Sequence, residues 1–272
     1  MPELAEVETV KNTLKKRVLN KKIKDVKILY SKMIENNEEE FKNILINNEF
    51  KDILRVGKWL IFELKNHYLL SHLRMEGKYF IKDSLDEIIK HEHVIFNFVD
   101  NIDLRYHDTR KFGVMKIVNK EDLWNTEEIK KQGKEPMDDS LTINYLLEKF
   151  KNKRLPIKTV LLDQTIISGL GNIYADEVLF ESRIYPLKRA SDLNSNDCER
   201  IIEASKKIIL KAIEHGGTTI RSYTSSLGVN GSYQNFLKVH KREGQPCLIC
   251  NKEIKRIKVG GRSTYYCDNC QK

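Results

Sequence analysis

No stretch of the chain approaches the roughly eighteen consecutive apolar residues that a membrane-spanning helix requires. The opening Met1-Pro-Glu-Leu lacks the charged-then-apolar layout of a secretory signal, so the expected location is the cytoplasm, with no membrane partner. Internal repeats and low-complexity tracts are also missing, which excludes solenoids and compositional tails. Cysteine is scarce and unevenly placed: Cys198 stands alone in an expected helix, while Cys247, Cys250, Cys267 and Cys270 crowd the C-terminal end. In a reducing compartment that pattern points to metal rather than disulfides. Acidic residues are outnumbered by basic ones, 39 to 48, giving a formal charge of +9. Such an excess suits a polyanionic partner, either nucleic acid or an acidic membrane surface, although a Lys-, Ile- and Asn-rich composition also follows from an AT-rich genome.

What is present divides the 272 residues into two styles. Between Pro2 and about Leu19 the apolar residues Leu4, Val7, Val10, Leu14 and Val18 recur at three- and four-residue intervals, the stripe of an amphipathic helix. Strand-like runs follow, among them Lys22 to Tyr30, Lys58 to Leu64, Lys78 to Lys82, His93 to Val99 and Lys111 to Val118. Beyond about Glu121 helices take over, at Ile143 to Lys151, Asn172 to Glu181 and Asn196 to His215, the last closed by Gly216 and Gly217. The expected fold is α+β, a sheet-rich N-terminal domain, read as a sandwich, followed by a helical one. Residues from Gly217 to Gln234 read as a long loop of the kind that is functional or mobile.

Cys247-x2-Cys250 and Cys267-x2-Cys270, sixteen residues apart, have the spacing of two knuckles that give four thiolates to one tetrahedral Zn2+. Four cysteines leave no open coordination position, so the expected zinc is structural. Between Lys241 and Lys272 eight Lys or Arg face three acids, so this tail carries +5 of the total and is expected to touch phosphates, or else to serve protein contacts as a solvated ribbon.

An initiator Met before Pro is normally removed, which leaves Pro2 with a free secondary amine at the first turn of a helix. The positive helix end disfavours protonation, and a neutral amine attacks a sugar anomeric carbon to give an imine. Glu3 beside it can move protons. Pro and Glu are also ordinary helix-start residues, and Lys58, in Arg55-Val-Gly-Lys-Trp-Leu, is a second amine candidate that on local grounds reads rather as an outward strand lysine.

Six ordered motifs carry a family resemblance: Pro2-Glu-Leu-Ala-Glu-Val-Glu-Thr, Gly57-Lys-Trp-Leu, His72-Leu-Arg-Met-Glu-Gly, Asp108-Thr-Arg-Lys-Phe-Gly, Gly169-Leu-Gly-Asn-Ile-Tyr-Ala-Asp-Glu and Gly261-Arg-Ser-Thr-Tyr-Tyr-Cys. With the zinc knuckles behind them, the chain resembles formamidopyrimidine-DNA glycosylases along essentially its whole length. The resemblance implies an N-terminal β-sandwich domain flanked by helices (1–130), a helix-two-turns-helix DNA-binding domain (131–236) and a four-cysteine zinc finger (237–272). It implies a monomer acting on double-stranded damaged DNA, in a bacterial cytoplasm and associated with the nucleoid through that DNA. Pro2 and Glu3 would be catalytic, with Lys58 and Arg262 in support. Met75, Arg110 and Phe112 would fill the gap left by an extruded nucleotide, whereas locally Met75 and Phe112 read as core residues. His91, Lys153, Lys158 and Asn172 would hold the DNA backbone, and the 218–234 loop would fold over the everted base. Position 5 departs from the family, with Ala5 where proline is common, a better helix former in that place. The nearest alternative is the sister enzyme endonuclease VIII, which prefers oxidised pyrimidines. A non-catalytic zinc-finger binder of nucleic acid would leave the N-terminal motif and Lys58 unexplained.

Overall fold

The computed structural model describes residues 1–218 and 231–272, so the expected 218–234 loop lies mostly outside the described residues. The chain forms two compact units, Met1–Lys130 with Gly216–Ser232, and Lys131–His215 with Tyr233–Lys272. Among the described residues no helix is long and apolar enough to cross a membrane.

The first unit opens with α1 (Leu4–Val18), whose Val7, Val10, Leu14 and Val18 are buried at the expected spacing. There follow β1 (Ile23–Ile28), α2 (Glu38–Leu45), β2 (Asp52–Val56), β3 (Trp59–Glu63), β4 (His67–His72), β5 (Lys78–Asp83), β6 (Glu92–Phe98), β7 (Ile102–His107), β8 (Val114–Asn119) and the short α3 (Glu127–Lys130). The strands make two antiparallel sheets, ordered β1-β6-β7-β5 and β2-β3-β4-β8. One core unites them: Val26, Val94 and Phe96 from one sheet and Ile53, Leu60 and Phe62 from the other pack with α1 and α2. The unit is therefore the expected sandwich. β3 is buried on both faces, because Trp59 and Ile61 join a second cluster with Leu123 and Ile129.

The strand order decides where the loops go. The chain crosses from one sheet to the other through residues 73–77, between β4 and β5, and crosses back through 108–113, between β7 and β8. β4 pairs with β8, placing His72 opposite Val114, and β5 pairs with β7, placing Lys78 opposite His107. Both crossovers consequently run side by side at one end of the sandwich.

Arg105 in β7 is almost wholly buried. Its guanidinium pairs with Glu92 and Asp103, each at 3.0 Å, and donates to the carbonyls of Asp83, Asp86 and Glu87. Burial works against the charge on Glu92, but the bonds from Lys82 and Arg105 win, and its carboxyl is held below the usual range.

The second unit contains α4 (Ile143–Phe150), α5 (Ile157–Leu161), α6 (Asn172–Glu181), α7 (Ser195–Glu214) and the hairpin β9 (Lys255–Val259) and β10 (Arg262–Tyr266). α6 is buried along its length from Ile173 to Phe180, while α7 presents Ile201, Ile208, Ile209 and Ala212 inward. Asn194 caps α7 and accepts the N–H of Asp197. Cys198 lies fully buried in α7; burial and then Asp197 push its thiol up to about 11, which makes it unreactive.

Arg105→Met would deprive two buried carboxylates of their shared guanidinium, and should destabilise the protein by about 3–5 kcal/mol. Chemical denaturation would register this as a lower midpoint with an unchanged slope.

Candidate active site

At the chain start, Pro2 and Glu3 are buried, together with Glu6 one turn later. Glu6 reaches back to accept the N–H of Glu3 at 2.9 Å, satisfying a donor at the helix end. Its other oxygen accepts the N–H of Thr218 at 2.7 Å and the Thr218 hydroxyl at 3.0 Å. Gly217, at φ +76°, leaves the necessary room, since a Cβ there would lie 2.7 Å from Glu6 Oε1. Glu6 thus fastens the helix start to the base of the 218–234 segment. In the sequence Glu6 is one acid of a motif, and its position three residues after Glu3 is the signal of this role.

Lys58 sits in the two-residue turn Gly57-Lys58 between β2 and β3, rather than within a strand, and is 5% exposed. Gly57 takes φ +56°, a conformation that such hairpin turns demand. Arg55 braces this hairpin against α1, donating to Glu8 at 2.7 Å and to the Gly57 carbonyl at 2.9 Å. The Met1 amine is lowered from its ordinary value chiefly by burial; Glu3 and Glu6 oppose the change and Lys58 adds to it. An amine at the chain start therefore lies in a desolvated place that feels Glu3, Glu6 and Lys58 together. Burial, then Arg74 and Lys58, push nearby His72 down to about 3, so its ring is neutral and accepts the Arg74 N–H at 2.9 Å.

The crossover loops carry the expected gap-filling residues, and these are not core. Phe112 is 51% exposed and Met75 37%. The Arg110 guanidinium lies 4.8 Å from the Phe112 ring centre. His91 precedes β6 at φ +74°, with its ring 5.7 Å from that of His107.

In the second unit Asn172 opens α6 after Gly171, and its amide donates to the Ser263 carbonyl at 2.9 Å. Ser263 follows Arg262, which is exposed and begins β10 after the Gly260-Gly261 turn, both glycines at positive φ. Lys153, just beyond α4, is half-buried. Lys158, expected on the DNA backbone, is fully buried instead: its ammonium donates to the Asn172 carbonyl at 2.9 Å and pairs with Asp176 at 2.6 Å. It holds the first turn of α6 from inside the fold. Asp176 also bonds His240 Nδ1 at 2.6 Å, and the Glu177 carboxylate accepts the N–H groups of Lys238, Val239 and His240. Burial raises the Glu177 carboxyl and those three bonds oppose it. His240, isolated in sequence, carried no signal of this role.

Cys247, Cys250, Cys267 and Cys270 bring their sulfur atoms within 4.8 Å of one another, and two pairs lie 3.8 and 3.4 Å apart. A tetrahedral Zn2+ with four thiolates has sulfur–sulfur edges of about 3.8 Å, so this is a site for one zinc ion. Ile254, Val239 and Phe180 are the main apolar cover of the knuckles, too little for a core without the metal. Chelation should release one zinc per chain and open residues 241–272 to protease while residues 1–130 stay resistant. Mass mapping of the fragments checks it.

Residues 1–115 match the formamidopyrimidine-DNA glycosylase N-terminal domain, residues 132–224 its H2TH domain, and residues 244–272 the zinc finger found in FPG and IleRS. The formamidopyrimidine-DNA glycosylase of Listeria monocytogenes (serotype 4b, strain F2365) is 44% identical over 273 residues, covering all of both chains. The Lactococcus lactis Fpg in complex with abasic-site DNA superposes with a TM-score of 0.94 at 38% identity, covering 99% of each chain. A point mutant of the Lactococcus lactis protein in complex with a Fapy-dG containing DNA gives 0.95 at 38% identity over the whole of both chains. The protein belongs to the formamidopyrimidine-DNA glycosylase family.

Proposed function

We propose that this protein is a bifunctional DNA glycosylase and AP lyase of base excision repair, which removes oxidised purines such as 8-oxoguanine and formamidopyrimidines from double-stranded DNA through a Schiff base, an iminium, on Pro2. The observation that carries the reading is the desolvated chain start. A buried Pro2 and Glu3 sit at the positive end of α1, and burial, countered by Glu3 and Glu6, lowers the Met1 amine next to them. The Lactococcus lactis relative bound to abasic and Fapy-dG DNA supports the substrate class.

With Met1 removed, the Pro2 nitrogen attacks C1′ of the extruded nucleotide. The C1′–N bond to the base breaks and the base leaves with a proton. Glu3 protonates the ring oxygen, the sugar opens, and an iminium links Pro2 to C1′. That cation acidifies the C2′ proton, whose loss expels the 3′ phosphate; a further proton loss expels the 5′ phosphate, and water then frees Pro2. Lys58 serves these proton transfers. Arg262, too basic to give up a proton, stabilises the phosphate charge. Met75, Arg110 and Phe112 fill the vacated stack, and Arg110 offers donors to the orphaned cytosine. His91, Lys153 and Asn172 hold the backbone on either side of the lesion, and Lys158 acts through Asn172. The reading divides the chain into 1–130, 131–236 and 237–272, acting as a monomer in a bacterial cytoplasm on nucleoid DNA.

Borohydride reduction during turnover of an 8-oxoguanine duplex should cross-link protein to DNA, and Pro2→Gly or a retained Met1 should weaken or abolish the product. An undiminished cross-link would move the nucleophile elsewhere, with Lys58 first to be examined. Faster capture of an oxidised-pyrimidine duplex would favour the sister specificity. Because burial and the helix end both disfavour the protonated amine, trapping should rise with pH and level off below pH 8, the ordinary α-amino value being about 8. A plateau above that value would contradict the desolvated amine.

A further inference from the structure

The two crossover loops of the sandwich are built around two buried groups that the chemistry above does not use. Asp108, wholly buried, follows β7 and directs both of its carboxylate oxygens at the loop it opens. Oδ1 accepts the N–H of Arg110, and Oδ2 accepts those of Phe112 and Gly113, all at 2.9 Å. Three N–H donors on one carboxylate fix the course of the backbone through Lys111, which sits at φ +57°. The main chain of Asp108 reaches further: its N–H donates to the His91 carbonyl at 3.0 Å, and its own carbonyl accepts from His93 Nε2 at 2.9 Å. One residue therefore sets the Arg110–Phe112 turn and the left-handed backbone at His91.

Tyr106, two residues earlier and also fully buried, lies where both loops end. A Cβ at Gly77 would fall 2.1 Å from its hydroxyl oxygen, and a Cβ at Gly113 1.8 Å from it. Neither glycine has a positive φ, so these positions need glycine for room and not for backbone freedom. The hydroxyl is thus gripped between the last residue of the Met75 loop and the last residue of the Phe112 loop. The Thr109 hydroxyl, which donates to Glu76, ties the same two loops on the outside.

We propose that Asp108 and Tyr106 are positioning residues that pre-assemble the two crossover loops into one rigid wedge, so that the aim and separation of Met75, Arg110 and Phe112 are fixed before DNA is met. The inference rests on the proposed reading of those three side chains as gap fillers. An unstacking element gains from this construction, because a side chain that must be ordered during insertion subtracts that cost from the work of opening the stack. The tie to His91 extends the same rigidity to the backbone grip, and both contacts should then engage in a fixed register.

Asp108→Asn keeps the shape but turns an amide N–H2 or a single remaining acceptor toward donors that need a carboxylate. Tyr106→Phe removes only the gripped hydroxyl. Each full-length variant is to be measured for excision from an 8-oxoguanine duplex, for cleavage of a pre-formed abasic site, and for base eversion by a 2-aminopurine placed beside the lesion, with Phe112→Ala as the reference. Both variants should lose about tenfold or more in excision, with a delayed fluorescence rise, yet cleave abasic DNA within about twofold of wild type, since misplacing a positioned group is felt where insertion is needed. Wild-type excision and eversion in both variants, with Phe112→Ala impaired, would overturn the positioning role and leave the wedge reading standing. Equal losses on both substrates would also overturn it, showing general damage to the fold. Wild-type excision by Phe112→Ala itself would sink the wedge and this inference together.

Discussion

An ionised oxygen withdrawn from water must find donors within the protein, at a cost of several kcal/mol if it does not. The architecture described here uses that requirement as a fastening. Glu6, Glu92, Asp108, Asp176 and Glu177 are all buried, and each bonds to a loop or a chain start that has to be held. Glu6 fastens the start of α1, Glu92 and Arg105 fasten the 83–91 segment, Asp108 fastens the second crossover, and Asp176 and Glu177 fasten the approach to the zinc knuckles. Hydrophobic burial supplies the cohesion of the sandwich and of α6 with α7, but it is non-directional. Directional bonds to buried carboxylates supply the position of the working segments.

Much of this was legible from sequence. The amphipathic stripe of α1, the three longer helices and the cysteine spacing translated directly into structure, because each is a local pattern with a local cause. Within the sandwich three strands, Asp52–Val56, His67–His72 and Ile102–His107, lie outside the strand-like runs of the sequence. The last shows why: Asp103 and Arg105 are charged, yet both are buried, paired with each other and bonded across to Glu92 and Asn97 of the neighbouring strand. Pattern reading sees a residue's own polarity and cannot see a partner supplied from another strand.

The candidate site was legible in a different way. The motifs nominate Pro2, Met75, Arg110, Phe112, Asn172 and Arg262, but spacing assigns no burial to them. Phe112 and Met75 would read locally as core, and their exposure follows only from the topology, which sends both crossovers out of the same end of the sandwich. Lys158 shows the opposite case, a lysine expected at a phosphate whose ammonium lies inside the fold against Asp176. A lysine's charge gave no warning, because the compensating carboxylate arrives from α6, eighteen residues on.

The bond between Glu6 and Thr218 spans 212 residues of chain. During synthesis the first helix is therefore made long before the segment that secures it, by about 10 to 40 s at ordinary elongation rates of roughly 5–20 residues per second. Over that interval the helix start is held by the local bond between Glu3 and Glu6, and the tie to Thr218 is added once the chain beyond residue 215 has been made.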